Sequence, residues 1–220
     1  MPDLSVRTVA ALARRAVVFE LRLYRSLFRW VTRRVDRGGP EVEPFGYAQA
    51  VTPVMWLWIF ASAAELPLVH VLVPWETVRI FLLVVGVWGL AWMVGLLASL
   101  QVYPHQLSDS HLRVRHGASV DIRVPWANVA SVKVDDRDLP SAIRTLQPRE
   151  TESGTDLQVG VSARVVVHAS LREPMTISTH HGPVKFTELS FWADEPRVLA
   201  DRARRHISAA VRTDRSQPGG

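Results

Sequence analysis

Residues 80–100 read IFLLVVGVWGLAWMVGLLASL, a run of 21 residues without a charged side chain, an amide side chain or a proline. At about 1.5 Å of rise per residue, a helix of this length crosses the ~30 Å hydrocarbon core of a bilayer. Residues 51–73 form a second apolar run, and only a short reversal that includes PWET at 74–77 separates the two. The sequence therefore predicts a transmembrane helical hairpin over 51–102, with spans of about 51–73 and 79–101.

Positive charges flank this hairpin unequally. Three arginines at 33, 34 and 37 precede the first span and two at 113 and 115 follow the second, whereas the reversal carries only Arg79. Because cytoplasmic flanks are enriched in Lys and Arg, both termini are expected in the cytoplasm. The basic residues are all Arg except Lys133 and Lys185, a bias typical of GC-rich bacterial genomes. We therefore expect the chain in the inner membrane of a bacterial cell.

The segment before the hairpin is strongly basic. Residues 1–40 contain nine arginines against three acidic residues, a net charge of +6, whereas the whole chain carries +5. On a helical wheel, arginines occupy one face and apolar residues the opposite face. The basic face comprises Arg7, Arg14, Arg15, Arg22, Arg25, Arg29 and Arg33. The apolar face comprises Leu12, Ala16, Phe19, Leu23, Leu27 and Trp30.

Residues 1–37 are thus predicted to form an amphipathic helix on the anionic cytoplasmic leaflet. The alternative is that the apolar face packs on the cytosolic domain or on a second copy of the chain. Gly38, Gly39 and Pro40 are expected to end the helix, and residues 38–50 to form a linker.

A carboxylate interrupts the first span. Glu65 lies about 12 Å from the extracytoplasmic end, where an ionised side chain is costly. Pro67 and His70 follow, and His70 lies about 140° around the helix from Glu65. The preferred interpretation is that Glu65 bonds a neighbouring helix and fixes hairpin or oligomer geometry. The alternative is a proton-linked or ligand site at Glu65 and His70. The second span carries a ridge of small residues that permits close helix approach: Ala91, Gly95 and Ser99.

After residue 104 the apolar residues alternate with polar ones, the period of a half-buried strand. HLRVRHG and SVDIRVPW predict a hairpin that turns at Gly117, and later segments raise the total to about seven strands. Residues 135–155 are polar and turn-rich and are expected to form a mobile loop. Asp194 and Pro196 open a C-terminal helix, and residues 213–220 are expected to be disordered. This order predicts an antiparallel barrel or sandwich covered by one helix.

One resemblance rests on these segments. SDSHLRVRHGASVDIRVPWANVASVKV resembles the opening of bacterial pleckstrin-homology-like domains, and FWADEPRVLADRARRHI is similar to their last strand and closing helix. The resemblance covers residues 104–212, and the layout is similar to a group of bacterial double-span membrane proteins with such a domain. It implies an α+β chain with a cytosolic binding or assembly module attached to a membrane.

The sequence contains no phosphate-binding loop, no HExxH motif and no GxSxG motif, and it has no cysteine. We therefore expect no enzymatic activity, no catalytic residue, no cofactor, no metal site and no nucleic-acid partner. Arg113, Arg115 and Arg123 are expected to face outward on adjacent strands, where they would hold an anionic headgroup or simply be solvated.

The sequence favours a membrane scaffold or assembly protein that binds a protein partner or its own copies. Two alternatives stay open: an anionic-lipid sensor that uses Arg113, Arg115 and Arg123, and an accessory subunit of a transporter or envelope enzyme that uses Glu65 and His70.

Overall fold

The structure, a computed structural model, describes residues 6–36, 38–140, 144–179 and 182–215. In this part of the chain, four α-helices and nine β-strands form two compact units, one helical and one built from two sheets. Thr52–Val102 belongs to the helical unit, together with the first helix and Gly117–Ser119. The sheet unit combines Asp36–Val51, Tyr103–His116 and the residues from Val120 onward. The α+β class expected from the sequence is confirmed.

The helical unit contains α1 (Val6–Val31), α2 (Thr52–Leu72) and α3 (Glu76–Val102). Helices α2 and α3 match the two predicted spans to within a few residues, and each is long and apolar enough to cross a membrane. Their most apolar windows have mean hydropathies of 1.5 and 2.4, yet only 6% and 11% of those windows are buried. The apolar side chains of both helices are therefore largely uncovered. Pro67 lies inside α2 without ending it.

Helix α1 packs along α3, and the two run in the same direction. Leu23 is 1% exposed and lies over Gly95, where an added Cβ would stand 2.9 Å from the Leu23 Cγ. Phe19 contacts Trp92 at 6.5 Å between ring centroids, and the Trp30 indole donates to Gln101 at 2.8 Å. The small-residue ridge of the second span thus accommodates a helix of the same chain.

Helix α1 ends at Val31, six residues before the predicted end at residue 37. The Arg34 N–H donates to the Arg29 carbonyl and the Arg33 N–H to the Trp30 carbonyl. With Arg33 at a φ of 56°, these bonds form a Schellman cap without glycine. The expectation that Gly38 and Gly39 end the helix was therefore wrong. The side chains of Arg7 and Leu12, also assigned to faces of this helix, lie outside the described residues.

Two sheets make up the second unit. The first contains β1 (Glu43–Phe45), β2 (His105–Leu107), β3 (His111–His116) and β4 (Val120–Pro125), in that order. The second contains β5 (Val129–Asp138), β6 (Leu146–Thr151), β7 (Gly154–Val159), β8 (Arg164–Thr179) and β9 (Gly182–Phe191), in the order β5-β8-β9-β7-β6. Every pairing is antiparallel except that of β7 with β9.

Both sheets and α4 (Pro196–Arg215) share one hydrophobic core. Val114 and Val124 contribute from the first sheet, Leu157 and Phe191 from the second, and Leu199 from α4. Alternation along β3 and β4 directs these residues inward, as the period-two pattern predicted. The sheets do not close into a barrel, so of the two predicted architectures only the two-sheet arrangement fits.

Several boundaries differ from the prediction. The described residues contain nine strands instead of about seven: β1, β2 and β6 were not predicted, and β8 joins two segments that were predicted as separate strands. The expected loop at 135–155 contains the end of β5, all of β6 and the start of β7. Its Ser141–Ile143 portion lies outside the described residues. Helix α4 continues to Arg215, so residues 213–215 are helical, and 216–220 lie outside the described part. The expected linker at 38–50 contains β1, which pairs with β2 through Glu43 and Leu107.

Candidate functional site

The three predicted headgroup ligands lie on one face of the β3–β4 hairpin. Arg113 pairs in register with Arg123, and Arg115 pairs with Asp121, so all four side chains share that face. Gln106 of β2 extends the same row beside Arg113. The prediction that the three arginines lie together on adjacent strands is correct. The ion pairs of these arginines with Asp121 and Asp36, which decide how much positive charge remains available, were not predicted.

Arg113 is bound to Asp121. Its Nε and one terminal nitrogen donate to the two carboxylate oxygens at 2.7 and 2.5 Å, a bidentate pair. The hydrogen bond from Arg113 lowers the pKa of Asp121, and the same bond raises the pKa of Arg113. Arg113 also donates to the Gln106 side chain at 3.3 Å. The guanidinium is thus already engaged in the geometry that a phosphate would need.

Arg115 does not face solvent, and this part of the prediction was wrong. The residue is only 3% exposed and donates to Asp36 at 3.0 Å. Its guanidinium lies 5.7 Å from the centre of the Tyr103 ring. Burial lowers the pKa of Arg115. Asp36 lies 79 positions away in the chain, so no local pattern could have predicted this ion pair.

Arg123 is the exposed member of the cluster. Its side chain is 61% exposed and its Nε stands 4.0 Å from Asp121, a carboxylate already engaged by Arg113. Three arginines and two aspartates leave this face a net charge of +1. An anion at this face would therefore meet one accessible guanidinium instead of three.

Two histidines and a tyrosine form an aromatic cluster, in which Tyr47 and His105 are buried and His116 is half-buried. The Tyr47 ring lies 4.6 Å from the His105 ring and 5.7 Å from the His116 ring. His105 Nδ1 accepts the Arg115 backbone N–H at 3.1 Å, so Nε2 carries the proton that it donates to the Trp192 carbonyl at 2.8 Å. Burial lowers the pKa of both His105 and His116 to about 4. The cluster is therefore neutral at physiological pH.

A second buried polar network lies on the five-stranded sheet. The Ser190 hydroxyl donates to Asp156 at 2.7 Å and contacts His168 Nδ1 at 2.7 Å, while His168 Nε2 contacts the Asp135 carbonyl at 2.8 Å. No local sequence pattern predicts this network, because its members come from four strands, β5, β7, β8 and β9.

An open groove of about 430 Å³ lies beside the 3-10 turn Trp126–Asn128. Pro125, Ala127 and Met175 provide apolar lining, and Arg172 and Glu173 provide charge. The Asn128 side chain donates to the Glu173 carbonyl at 3.0 Å and accepts the Glu173 N–H at 2.8 Å. The Asn128 amide thus forms the two hydrogen bonds with the Glu173 backbone that a paired strand would otherwise form, just beyond the end of the β5–β8 pairing.

The predicted intramembrane pair is not brought together. Glu65 and His70 are both exposed on α2, and the described contacts include none that joins them. Helix α2 continues through Pro67, and a five-residue spacing corresponds to about 140° around a regular helix. This placement weakens the transporter-subunit alternative, which needed the two side chains at one site.

Neither family models, nor characterised proteins, nor solved structures give a match to this chain.

Proposed function

We propose that this chain is a membrane-anchored scaffold or assembly protein without enzymatic activity, held in a bilayer by α2 and α3. The supporting observation is that two helices of this length and hydropathy leave most of their apolar surface uncovered. Soluble proteins rarely expose contiguous apolar surface of this extent, whereas acyl chains would cover it. In this proposal the sheet unit and both termini lie in the bacterial cytoplasm, on the side of the flanking arginines.

The sheet unit is proposed to be a pleckstrin-homology-like module that binds a protein partner or copies of itself. Two sheets with a closing helix are consistent with the resemblance over 104–212. The β6–β7 hairpin and the parallel pairing of β7 with β9 are additions to that layout. The groove beside Asn128 supports peptide binding, because it joins apolar lining from Met175 to the charges of Arg172 and Glu173.

Anionic lipid is the second proposed partner, and α1 is the segment that favours it. Arg22 and Arg25 are exposed on this helix, and Arg33 is exposed just beyond its end at Val31. Long arginine side chains can extend along apolar surface while their guanidinium groups reach the headgroups. The β3–β4 face is less suited to that role, because two of its three arginines have carboxylate partners.

Alkaline carbonate washing of membranes from cells that express the full chain tests the anchor. Retention in the membrane pellet is the expected result, and release into the supernatant would refute the anchor.

Hydrogen exchange of the full chain in nanodiscs of neutral or anionic lipid tests the sheet unit. A protein-binding module gives the same exchange in β3 and β4 in both lipids. Protection in anionic discs alone, removed by Arg123→Ala but not by the exposed-arginine control Arg149→Ala, would instead assign the sheet unit to lipid sensing.

A further inference from the structure

Glu65 lies on the face of α2 that does not contact α3. The covered residues of α2, among them the buried Ile59 and the half-buried Ser62 and Leu66, recur at helical spacing. Ser62 Oγ lies 3.7 Å from Met93 Sδ. Glu65 is exposed on another face. In the part of the chain that the structure describes, its carboxyl takes part in no hydrogen bond or ion pair. A carboxyl so placed in hydrocarbon requires a polar partner from another molecule.

Glu65 occupies the middle of an exposed stripe along α2. The stripe residues are separated alternately by four and three positions, the spacing of the a and d positions of a heptad repeat. They are Val54, Trp58, Ala61, Glu65, Leu68 and Leu72, and all are exposed. Such a stripe fits against a second helix that lies nearly parallel to α2, and Ala61 leaves room for close approach beside Glu65.

We propose that a second copy of this chain covers the stripe, in a parallel two-fold dimer in which the two Glu65 carboxyls bond each other. This inference rests on the proposed membrane anchor. Copies inserted in one orientation place equal residues at equal depth, and a two-fold interface joins each such residue to itself. A protonated carboxyl both donates and accepts, so Glu65 is complementary to its own copy. Two ionised carboxylates would repel, so the pair retains at least one proton.

The remainder of the two apolar helices supports this choice of partner. The ridge of α3 at Gly95 is already covered by Leu23 of α1, so it is not free for a second copy. The charged residues of α3, Glu76 and Arg79, lie in its first turn. Glu65 lies about 20 Å along α2 from Thr52 and about 10 Å from Leu72, and in the described residues it forms no ion pair with Arg79 of the first turn of α3. Glu65 of a second copy inserted in the same orientation lies at the same depth in the membrane.

The absence of cysteine from the chain allows a direct test by single-cysteine disulfide formation in native membranes. The stripe variants are Ala61→Cys and Leu68→Cys. The matched controls are Phe60→Cys and Val71→Cys, which are exposed at similar depths but lie off the stripe. On oxidation, the stripe variants are expected to give a band at twice the 24.7 kDa of the chain, and the controls are not.

The contribution of Glu65 is tested in the Ala61→Cys variant. Glu65→Ala should reduce dimer association by about 3- to 30-fold, the range for one interhelical polar contact in a membrane. Glu65→Gln should preserve the dimer, because a carboxamide also donates and accepts. Equal cross-linking on and off the stripe, an adduct of another mass, or no effect of Glu65→Ala would overturn the proposal.

Alkaline washing of the same membranes separates the two levels of inference. A chain released by the wash refutes the anchor itself. A chain that is retained but forms no stripe-specific disulfide refutes the dimer alone.

Discussion

Acidification should destabilise the sheet unit through His105, and the size of the effect follows from its surroundings. The neutral ring uses both nitrogens, since Nδ1 accepts the Arg115 N–H and Nε2 donates to the Trp192 carbonyl. A second ring proton would point at the Arg115 N–H. Burial accordingly lowers the pKa of His105 from 6.5 to about 4. The unfolded chain therefore takes up a proton near pH 6.5, where the folded chain does not.

His105 makes its full contribution to the free energy of unfolding above pH 6.5, and this contribution is lost as the pH falls toward 4. At about 1.36 kcal/mol per pH unit, the full loss is about 3.4 kcal/mol, and about 2 kcal/mol has been lost at pH 5. The assay is urea unfolding of the full chain in detergent, followed by near-ultraviolet circular dichroism at pH 7.5 and pH 5.

A variant comparison isolates the contribution of His105 from that of other groups that titrate in this range. Between pH 7.5 and pH 5, the free energy of unfolding of His105→Gln should fall by about 2 kcal/mol less than that of the wild type. His111→Gln is the matched control and should remove a smaller part of the pH dependence, because His111 is only partly buried. An unchanged pH dependence in His105→Gln would refute the assignment of a buried, neutral imidazole.

Two further predictions concern contacts between distant parts of the chain. Asp36→Asn should destabilise the sheet unit by about 3–5 kcal/mol, because it leaves the Arg115 guanidinium buried without a carboxylate. Asp36→Asn/Arg115→Met should recover most of that loss in the same unfolding assay, and an equal loss in both variants would contradict this account. Gly95→Leu should detach α1 from α3 and speed tryptic cleavage at Arg22 and Arg25, whereas Gly89→Leu should not, since a Cβ at Gly89 has no neighbour within 4 Å. Equal cleavage of the two glycine variants would show that Leu23 does not fix α1 on α3.

Features encoded by local periodicity were predicted well from the sequence. The two apolar helices followed from uninterrupted hydrophobic runs, and the β3–β4 hairpin followed from alternation around Gly117. Its register even fixes the neighbours of Arg113, since pairing with Arg123 places Asp121 one diagonal step away. That carboxylate partner could therefore have been predicted from the hairpin alone.

Features that depend on distant pairing were missed. The strand β1 has three residues and includes Pro44, so nothing in its own sequence distinguishes it from a linker. The ion pair of Arg115 with Asp36 and the bond of His168 with Ser190 join residues far apart in sequence. The predicted end of α1 was wrong for a different reason. Arg33 adopts a left-handed conformation that is more often found at glycine.

The pairing of β1 with β2 imposes an order on biosynthesis. These two strands are neighbours in the first sheet, yet the whole of α2 and α3 separates them in the chain. While a ribosome is still translating the second apolar helix, β1 has no strand to pair with and Asp36 has no arginine to neutralise. The sheet unit can therefore be completed only after both apolar helices have been synthesised. If translation stalled after β1 and before β2, β1 would remain an unpaired strand edge that quality-control proteases can recognise.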